Sequence, residues 1–449
     1  MKNNPSGKLH IISLGCSKNL IDSEVMGGQA AASGMTLVGS PDQADIVMIN
    51  TCGFILPAKE EALETILTLA EGKKKSGRNL KLIVAGCLAQ RYGKELLEEI
   101  PEVDLVIGTG EVGRIVHHLQ RLNTVKYERS AVITKPDFLM SSHHGRILSP
   151  DTATAYLKIS DGCSNCCTYC AIPSIRGKAR SREPDDILQE AQKLIGRGIR
   201  EIILIGQDTT VYGRDLKTHP KLSNLLSELA SLPGLSWIRL LYTHPAHITA
   251  DVLEAIAGHS KICRYIDLPV QHIDDSILTA MNRGVSSERI REIISLSRRL
   301  MPDVALRTSL IVGFPGETQK RFKRLLDFVK EARFDHLGVF TYSREEGTAA
   351  AKMPSRIGEK EKERRRDLIM AEQAELSYAI NQKWIGSVQE VLIEEESDRK
   401  GFAFIGRCRR QAPEIDGVTY IRNHSTEIGK IMICKITDAD HYDLYGEIL

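Results

Sequence analysis

The chain carries ten cysteines in 449 residues, and six of them stand where thiolates could act together. In the run Ile159-Ser160-Asp161-Gly162-Cys163-Ser164-Asn165-Cys166-Cys167-Thr168-Tyr169-Cys170, the residues Cys163, Cys167 and Cys170 have the spacing C-x3-C-x2-C. A short loop with three thiolates can wrap three irons of a 4Fe–4S cube. The fourth iron then keeps an open position, which a cluster needs if it is to bind a substrate. The competing reading is a structural zinc knuckle. Zinc in such a site takes four closed ligands, and no nearby His or downstream C-x2-C completes a set. Choosing Cys166 instead of Cys167 reverses the spacing, so Cys166 is read as a bystander that can be oxidised or compete for iron.

Cys16, Cys52 and Cys87 are far apart in sequence but share a context. Cys16 follows LHIISLG, Cys52 follows DIVMINT and Cys87 follows LKLIVAG, so each sits just past an apolar, strand-like run. In an open parallel sheet the C-terminal strand ends form one rim where ligands bind. Three thiolates meeting there could hold a second iron–sulfur cluster, again with one open iron. The alternative is three buried structural cysteines, since free Cys is commonly buried. Their neighbours Gly15, Ser17, Thr51, Gly53 and Gly86 are polar or glycine and suit a rim better than a core. Cys263, Cys408 and Cys434 are isolated and read as structural.

The elements that must position these residues fall into three segments. Residues 8–122 alternate strand-like runs (LHIISL, DIVMIN, LKLIVA, DLVIG) with helical patterns such as KEEALETILTLAEGKKK. This predicts an α/β domain with an open, mainly parallel sheet. Residues 123–150 have weak periodicity and read as a linker. Over 151–378 the alternation restarts, with strands AYLKIS, EIILIG, WIRLLY, YIDLPV, LRTSLIV and HLGVFTY. Six βα units fit a partial (β/α) barrel, whose functional loops follow the strand C-termini. Residues 379–449 hold the short strands VQEVLIEEE, FAFIGRC, GVTYIRN and GKIMICKITDA and predict a small OB-like β-barrel.

Bulk properties narrow the class. The net charge is only +2, so no global electrostatic case exists for nucleic acid. No apolar run approaches a membrane span, and the start MKNNPSGKLHIISLGC lacks the apolar core of a signal peptide. A cytoplasmic protein is expected. In a reducing cytosol, clustered cysteines point to metal or redox chemistry rather than disulfides.

C-x3-C-x2-C after the first strand of a six-unit barrel resembles the radical S-adenosylmethionine (SAM) superfamily. The resemblance implies that the amine and carboxylate of SAM chelate the open iron. One electron then cleaves the sulfonium to a deoxyadenosyl radical, which abstracts hydrogen from an unactivated carbon. It also implies cofactor-binding roles for Tyr169 near the adenine, for Gly206 and Gln207 at the methionine amine, and for Gly313 and Glu317 in the fifth-strand stretch LIVGFPGE.

Gly15-Cys16-Ser17-Lys18-Asn19, Asn50-Thr51-Cys52 and Ala85-Gly86-Cys87 resemble the N-terminal domain of the methylthiotransferase family. The order of N-terminal domain, radical barrel and terminal TRAM module matches that family over nearly the whole chain. The resemblance implies two 4Fe–4S clusters, one on Cys163, Cys167 and Cys170 and one on Cys16, Cys52 and Cys87. The second carries the sulfur. One SAM methylates it, and another generates the substrate radical that takes up the methylthio group. No His or carboxylate is expected as an essential base. Asp208, His244 and His272, at strand ends, are expected to shape the substrate pocket.

Four stretches resemble the branch that acts on ribosomal protein S-twelve of the small subunit, at the β-carbon of an aspartate: Gly15–Glu24, Gly206–Gly213, Pro269–His272 and Gln411–Gly417. The expected partners are that protein or the small ribosomal subunit, and a reductant protein. The alternatives are a transfer-RNA adenosine methylthiotransferase and, in another class, a non-catalytic iron–sulfur protein that binds ribosomes. In the TRAM module Arg407, Arg409, Arg410 and Arg422 could form a patch, offset by Glu394, Glu395, Glu396 and Asp398. A protein-docking surface is expected there, with RNA contact open.

Overall fold

The structure is a computed structural model that describes residues 7–122, 124, 127–149, 152–354, 356–422 and 426–449. The polar start of the chain and residues 123, 125, 126 and 150 of the segment read as a linker lie outside the described residues.

The N-terminal sheet has six strands, β1 (Gly7–Ser13), β2 (Met35–Leu37), β3 (Ile46–Thr51), β4 (Lys81–Gly86), β5 (Leu105–Ile107) and β6 (Ser130–Val132), in the order β2-β1-β3-β4-β5-β6. Every pairing is parallel. Its helices are α1 (Ser17–Ala32), α2 (Leu56–Ser76), α3 (Cys87–Glu99) and α4 (Ile115–Leu122). All six residues of β3 are buried, as expected of a parallel strand covered on both faces. Val47, Ile49, Leu82, Val84 and Val106 pack against Ala62 and Ile66 of α2 and Leu88 and Leu96 of α3. Two strands of this sheet escaped the sequence reading. β2 and β6 have three residues each, too few for a periodic signal, and β6 arises inside the stretch read as a linker.

β7 (Thr154–Lys158) leads into a two-strand ladder, β8 (Ser160–Asp161) with β9 (Arg180–Ser181), that encloses the cysteine loop and the short helix α5 (Ile172–Arg176). The remaining barrel strands are β10 (Glu201–Ile205), β11 (Trp237–Leu240), β12 (Tyr265–Asp267), β13 (Ala305–Val312) and β14 (His336–Thr341). They form sheets β11-β10-β7 and β12-β13-β14. A parallel bridge from Ile238 to Ile262 lies where β11 leads toward β12. Helices α6 (Pro184–Gly196), α7 (Leu222–Ser231), α8 (Ala250–Gly258), α9 (Asp275–Ala280), α10 (Ser287–Leu300), α11 (Gln319–Ala332) and α12 (Glu359–Asn381) follow the strands in turn. This is the six-unit partial barrel. The terminal module is a closed barrel, β15-β16-β17-β19-β18, of β15 (Val388–Glu396), β16 (Phe404–Cys408), β17 (Thr419–Ile421), β18 (Ile431–Ala439) and β19 (Leu444–Ile448).

Two compact units result. One comprises residues up to Leu148, Lys158–Ile187 and Glu345–Thr348. The other comprises Ser149–Leu157, Leu188–Arg344 and Ala349–Leu449. All six nominated cluster cysteines fall in the first unit. Among the described residues no helix is long and apolar enough to cross a membrane.

In the second unit, the terminal module meets the barrel strands at their N-terminal ends. Glu201, the first residue of β10, accepts from Arg239 of β11 at 2.8 Å and from Arg407 of β16 at 2.6 Å. Tyr265, opening β12, donates to Asp416 at 2.7 Å, and His336, opening β14, contacts the Arg410 carbonyl at 2.8 Å. Most of the arginines that could form a patch on the module are engaged in contacts within this unit. Arg407 is buried and reaches Glu201, Arg409 donates to the Ser260 carbonyl at 2.6 Å and lies over Trp237, and Arg410 pairs with Asp335 and stacks over Trp384. Arg422 lies over the Phe402 ring. Three of the four arginines therefore fasten the module to the barrel, and the arrangement sits at the face that serves stability rather than catalysis.

Candidate cluster and cofactor site

Cys16 caps the N-terminus of α1, Cys52 follows the last residue of β3, and Cys87 is the first residue of α3. β1, β3 and β4 are consecutive in the sheet, with Ser13 opposite Asn50 and Thr51 opposite Gly86. The three cysteines therefore share one rim. Glycine makes the approach possible. A Cβ on Gly15, whose φ is +91°, would lie 2.6 Å from Cys52 Cβ, and one on Gly53 would lie 2.7 Å from Leu88 Cα and 2.9 Å from the Cys87 carbonyl carbon. Gly15→Ala is expected to cost about 2 kcal/mol, from left-handed backbone and this overlap. It should also lower iron uptake at this rim, read by thermal unfolding and iron analysis. Unchanged values in both would remove the cradle argument.

The thiols are close enough to feel one another. Burial pushes Cys87 up to about 12, with Cys16 and Cys52 adding to the rise and Arg176 opposing it. Burial also raises Cys52, against the backbone N–H groups of Phe54 and Gly53. For Cys16, the upward push of its crowded surroundings is outweighed by Lys18, Arg176 and the N–H groups that open α1, so its thiol lies below the usual value. Three sulfurs with no carboxylate or imidazole among them form a soft donor set that suits iron–sulfur chemistry and not magnesium or calcium. Metal binding would replace the protons that burial otherwise holds on.

The second triad is on the loop between β8 and β9. Cys163 is buried, Cys167 and Cys170 are half-buried, and Cys166 is exposed. Cys163 N–H donates to the Gly177 carbonyl at 3.0 Å, Cys170 N–H to the Cys167 carbonyl at 3.1 Å, and Ile172 N–H to Cys170 Sγ at 3.5 Å. The two triads adjoin: Cys87 packs with Ala171 and Ile175, the residues just beyond Cys170. Tyr169 is half-buried on the same loop.

In the second unit, Gly206, Gln207 and Asp208 close β10 and Gly313 follows β13. Gly313 has φ +76°, and a Cβ there would meet Lys362 Cδ at 2.9 Å. Glu317 braces this turn. Its carboxylate accepts from the N–H groups of Gly313 and Phe314 and pairs with Arg365 at 3.2 Å, so it folds the turn that carries Gly313.

Asp208, His244 and His247 come together with one ligand atom each inside 4.8 Å, the only such group of three His, Cys, Asp or Glu residues found among the described residues. His247 was not foreseen. His244 stacks on it at 4.9 Å. The tautomer argues against a metal. His244 Nδ1 accepts Ala246 N–H at 3.1 Å, so the neutral ring carries its proton on Nε2, a buried donor. His272 repeats the pattern, with Nδ1 accepting Asp274 N–H at 2.9 Å and Nε2 buried. Burial holds both rings neutral, His244 at about 2 and His272 at about 3.

Residues 8–108 match the uncharacterised protein family UPF0004, residues 157–329 the radical SAM superfamily and residues 385–449 the TRAM domain. Among solved structures, the radical SAM methyltransferase TsrM from Kitasatospora setae, with cobalamin and a 4Fe-4S cluster bound, superposes with TM-score 0.55 at 13% identity, over 86% of this chain and 80% of that one, and supports the fold. Together the cysteine loop, the six-strand barrel and the family match define a radical SAM enzyme with an appended TRAM barrel. Over 98% of both chains, this sequence is 53% identical to the ribosomal protein uS12 methylthiotransferase RimO of Syntrophus aciditrophicus, and it is 48% identical over 99% of both to RimO of Geobacter sulfurreducens. RimO of Clostridioides difficile is 45% identical over 98% of this chain and 99% of its own. The chain belongs to this RimO family of radical SAM methylthiotransferases.

Proposed function

We propose that this chain transfers a methylthio group to the β-carbon of an aspartate in ribosomal protein uS12, using two 4Fe–4S clusters and SAM. The reading is carried by the near-full-length identity to RimO relatives on a chain whose two cysteine triads adjoin in one compact unit. Cys163, Cys167 and Cys170 hold the cluster that binds SAM, and Cys16, Cys52 and Cys87 hold the second. When bound, these groups supply one-electron sulfonium cleavage and a transferable sulfur, chemistry outside the reach of side chains at neutral pH.

The chain's own residues bind and orient. Gly15 and Gly53 leave the space that lets the chain segments of Cys16, Cys52 and Cys87 approach at the rim. Tyr169 takes the adenine side, Gly206 and Gln207 take the methionine amine, and Gly313 lets backbone approach the cofactor, with Glu317 fixing its turn. His244 and His272, neutral and protonated at Nε2, offer hydrogen-bond donors without adding charge. Asp208, whose carboxylate accepts from Thr210 N–H at 3.0 Å, fixes the β10 exit. A reductant protein delivers the electrons, and a ribosomal substrate places the reaction in the cytoplasm. The TRAM module, fastened at the barrel's N-terminal end, serves docking of the ribosomal protein, with RNA contact through its remaining surface.

The test compares cells with and without the gene by mass spectrometry of small-subunit proteins and tRNA nucleosides. Loss of the methylthio mark from the uS12 aspartate alone is the expected result. Loss from a tRNA adenosine would overturn the substrate assignment and keep the chemistry.

A further inference from the structure

We infer that Arg176 is a positioning residue for the site on Cys16, Cys52 and Cys87, fixing that site's charge and tying it to the loop of Cys163, Cys167 and Cys170. This rests on the proposed second cluster. Arg176 closes α5, six residues after Cys170, and is buried. One edge of its guanidinium faces two carboxylates, with Nη1 at 2.6 Å from Asp22 and 3.3 Å from Asp161. The other edge faces the thiol rim, with Nη2 at 2.5 Å from Asn19 Oδ1 and 3.5 Å from Cys87 Sγ. Asn19 is itself placed by its side-chain N–H donation to the Thr51 carbonyl at 2.9 Å, next to Cys52.

The geometry exceeds what a structural ion pair needs. Lys158 already reaches both carboxylates, at 2.6 Å to Asp22 and 3.0 Å to Asp161. Lys158, Arg176, Asp22 and Asp161 balance in charge as a buried foursome. Within it, only Arg176 reaches Cys87. An arginine is always charged and its planar fork can serve a carboxylate and a sulfur at once, which a lysine cannot. A buried cation and an N–H donor at a ligand sulfur are two of the levers that set an iron–sulfur potential. The same short helix brings Ala171 and Ile175 onto Cys87. The loop that carries one triad therefore delivers both the apolar cover and the charge of the other.

The test is an EPR-monitored redox titration of the anaerobically reconstituted full-length chain. Cys163→Ala/Cys167→Ala/Cys170→Ala leaves one cluster to observe, with and without Arg176→Lys. The expected result is a cluster in both chains, with a more negative midpoint potential in Arg176→Lys. A loss of iron from Arg176→Lys with unchanged circular dichroism and thermal unfolding supports the inference equally. An unmoved potential at full iron content overturns it. If Arg176→Lys does not fold, Arg176→Gln/Asp22→Asn is read by the same criteria, because it removes one buried cation together with one anion. Absence of any cluster in the chain that keeps Arg176 would refute the second cluster itself, a different failure from an unmoved potential.

Discussion

Cys87→Ala should abolish methylthio transfer while leaving SAM cleavage intact. Cys87 begins α3 and is buried against Ala171 and Ile175. The substitution removes one sulfur and little volume, so the fold should lose only about 1 kcal/mol. What disappears is one of three donors at the rim, and two thiolates do not hold a cube that needs three protein ligands. Iron in the reconstituted chain should fall by about half. Formation of 5′-deoxyadenosine should continue, because Cys163, Cys167 and Cys170 are untouched. Cys163→Ala should instead lose both activities. The readouts are mass spectrometry of the substrate peptide and chromatography of the nucleoside products. Transfer that persists in Cys87→Ala would sink the two-site scheme. Loss of both activities there would mean that Cys87 acts by supporting the neighbouring loop through Ala171.

The rim was legible because β1, β3 and β4 are long apolar runs, each ending in a glycine- or polar-flanked cysteine. Parallel pairing then places their ends side by side, as Thr51 opposite Gly86 illustrates. The six barrel strands were legible for the same reason. The short strands were not. β19 has a single five-residue run at the chain end, and its partners are β17 and β18, chosen by barrel closure rather than by local pattern. Arg176 was equally hidden. Nothing in its local sequence marks it, since its role depends on Asp22, far away in the chain, and on a thiol brought near by the sheet. The terminal arginines misled in the opposite sense. Charged residues usually mean a solvated face, yet the acids that hold Arg407 and Arg410, Glu201 and Asp335, lie in the barrel, far away in sequence. Long-range charge pairing has no periodic signature.

The first of these acids carries the largest expected stability effect. Glu201 is fully buried, accepts from Arg407 and Arg239, and receives the Thr154 hydroxyl at 3.2 Å. Arg407 also reaches Glu394, on β15, at 2.6 Å. Burial alone would push the Glu201 carboxyl up, but Arg407 and then Arg239 outweigh it and hold it at about 2, against an ordinary 4.5. The folded state therefore binds the proton more weakly than the unfolded chain. The stabilisation is fully present above about pH 4.5 and is lost as the pH falls toward about 2, a swing on the order of 3 kcal/mol. Glu201→Gln leaves the buried Arg239 guanidinium without its carboxylate and Arg407 with Glu394 alone, and breaking such a buried pair costs about 3–5 kcal/mol. The chain's two tryptophans report on this junction: Trp237 lies under Arg409 and Trp384 under Arg410. Urea unfolding followed by their fluorescence should shift to lower denaturant in Glu201→Gln at neutral pH. The variant should also lose the acid-dependent part of the parent's stability between pH 4.5 and 2, so that the two curves converge at low pH. A neutral-pH difference below about 1 kcal/mol would mean that the module is held mainly by the apolar and stacking contacts around Trp237, Trp384 and Tyr265, with the buried charges serving only to fix its orientation.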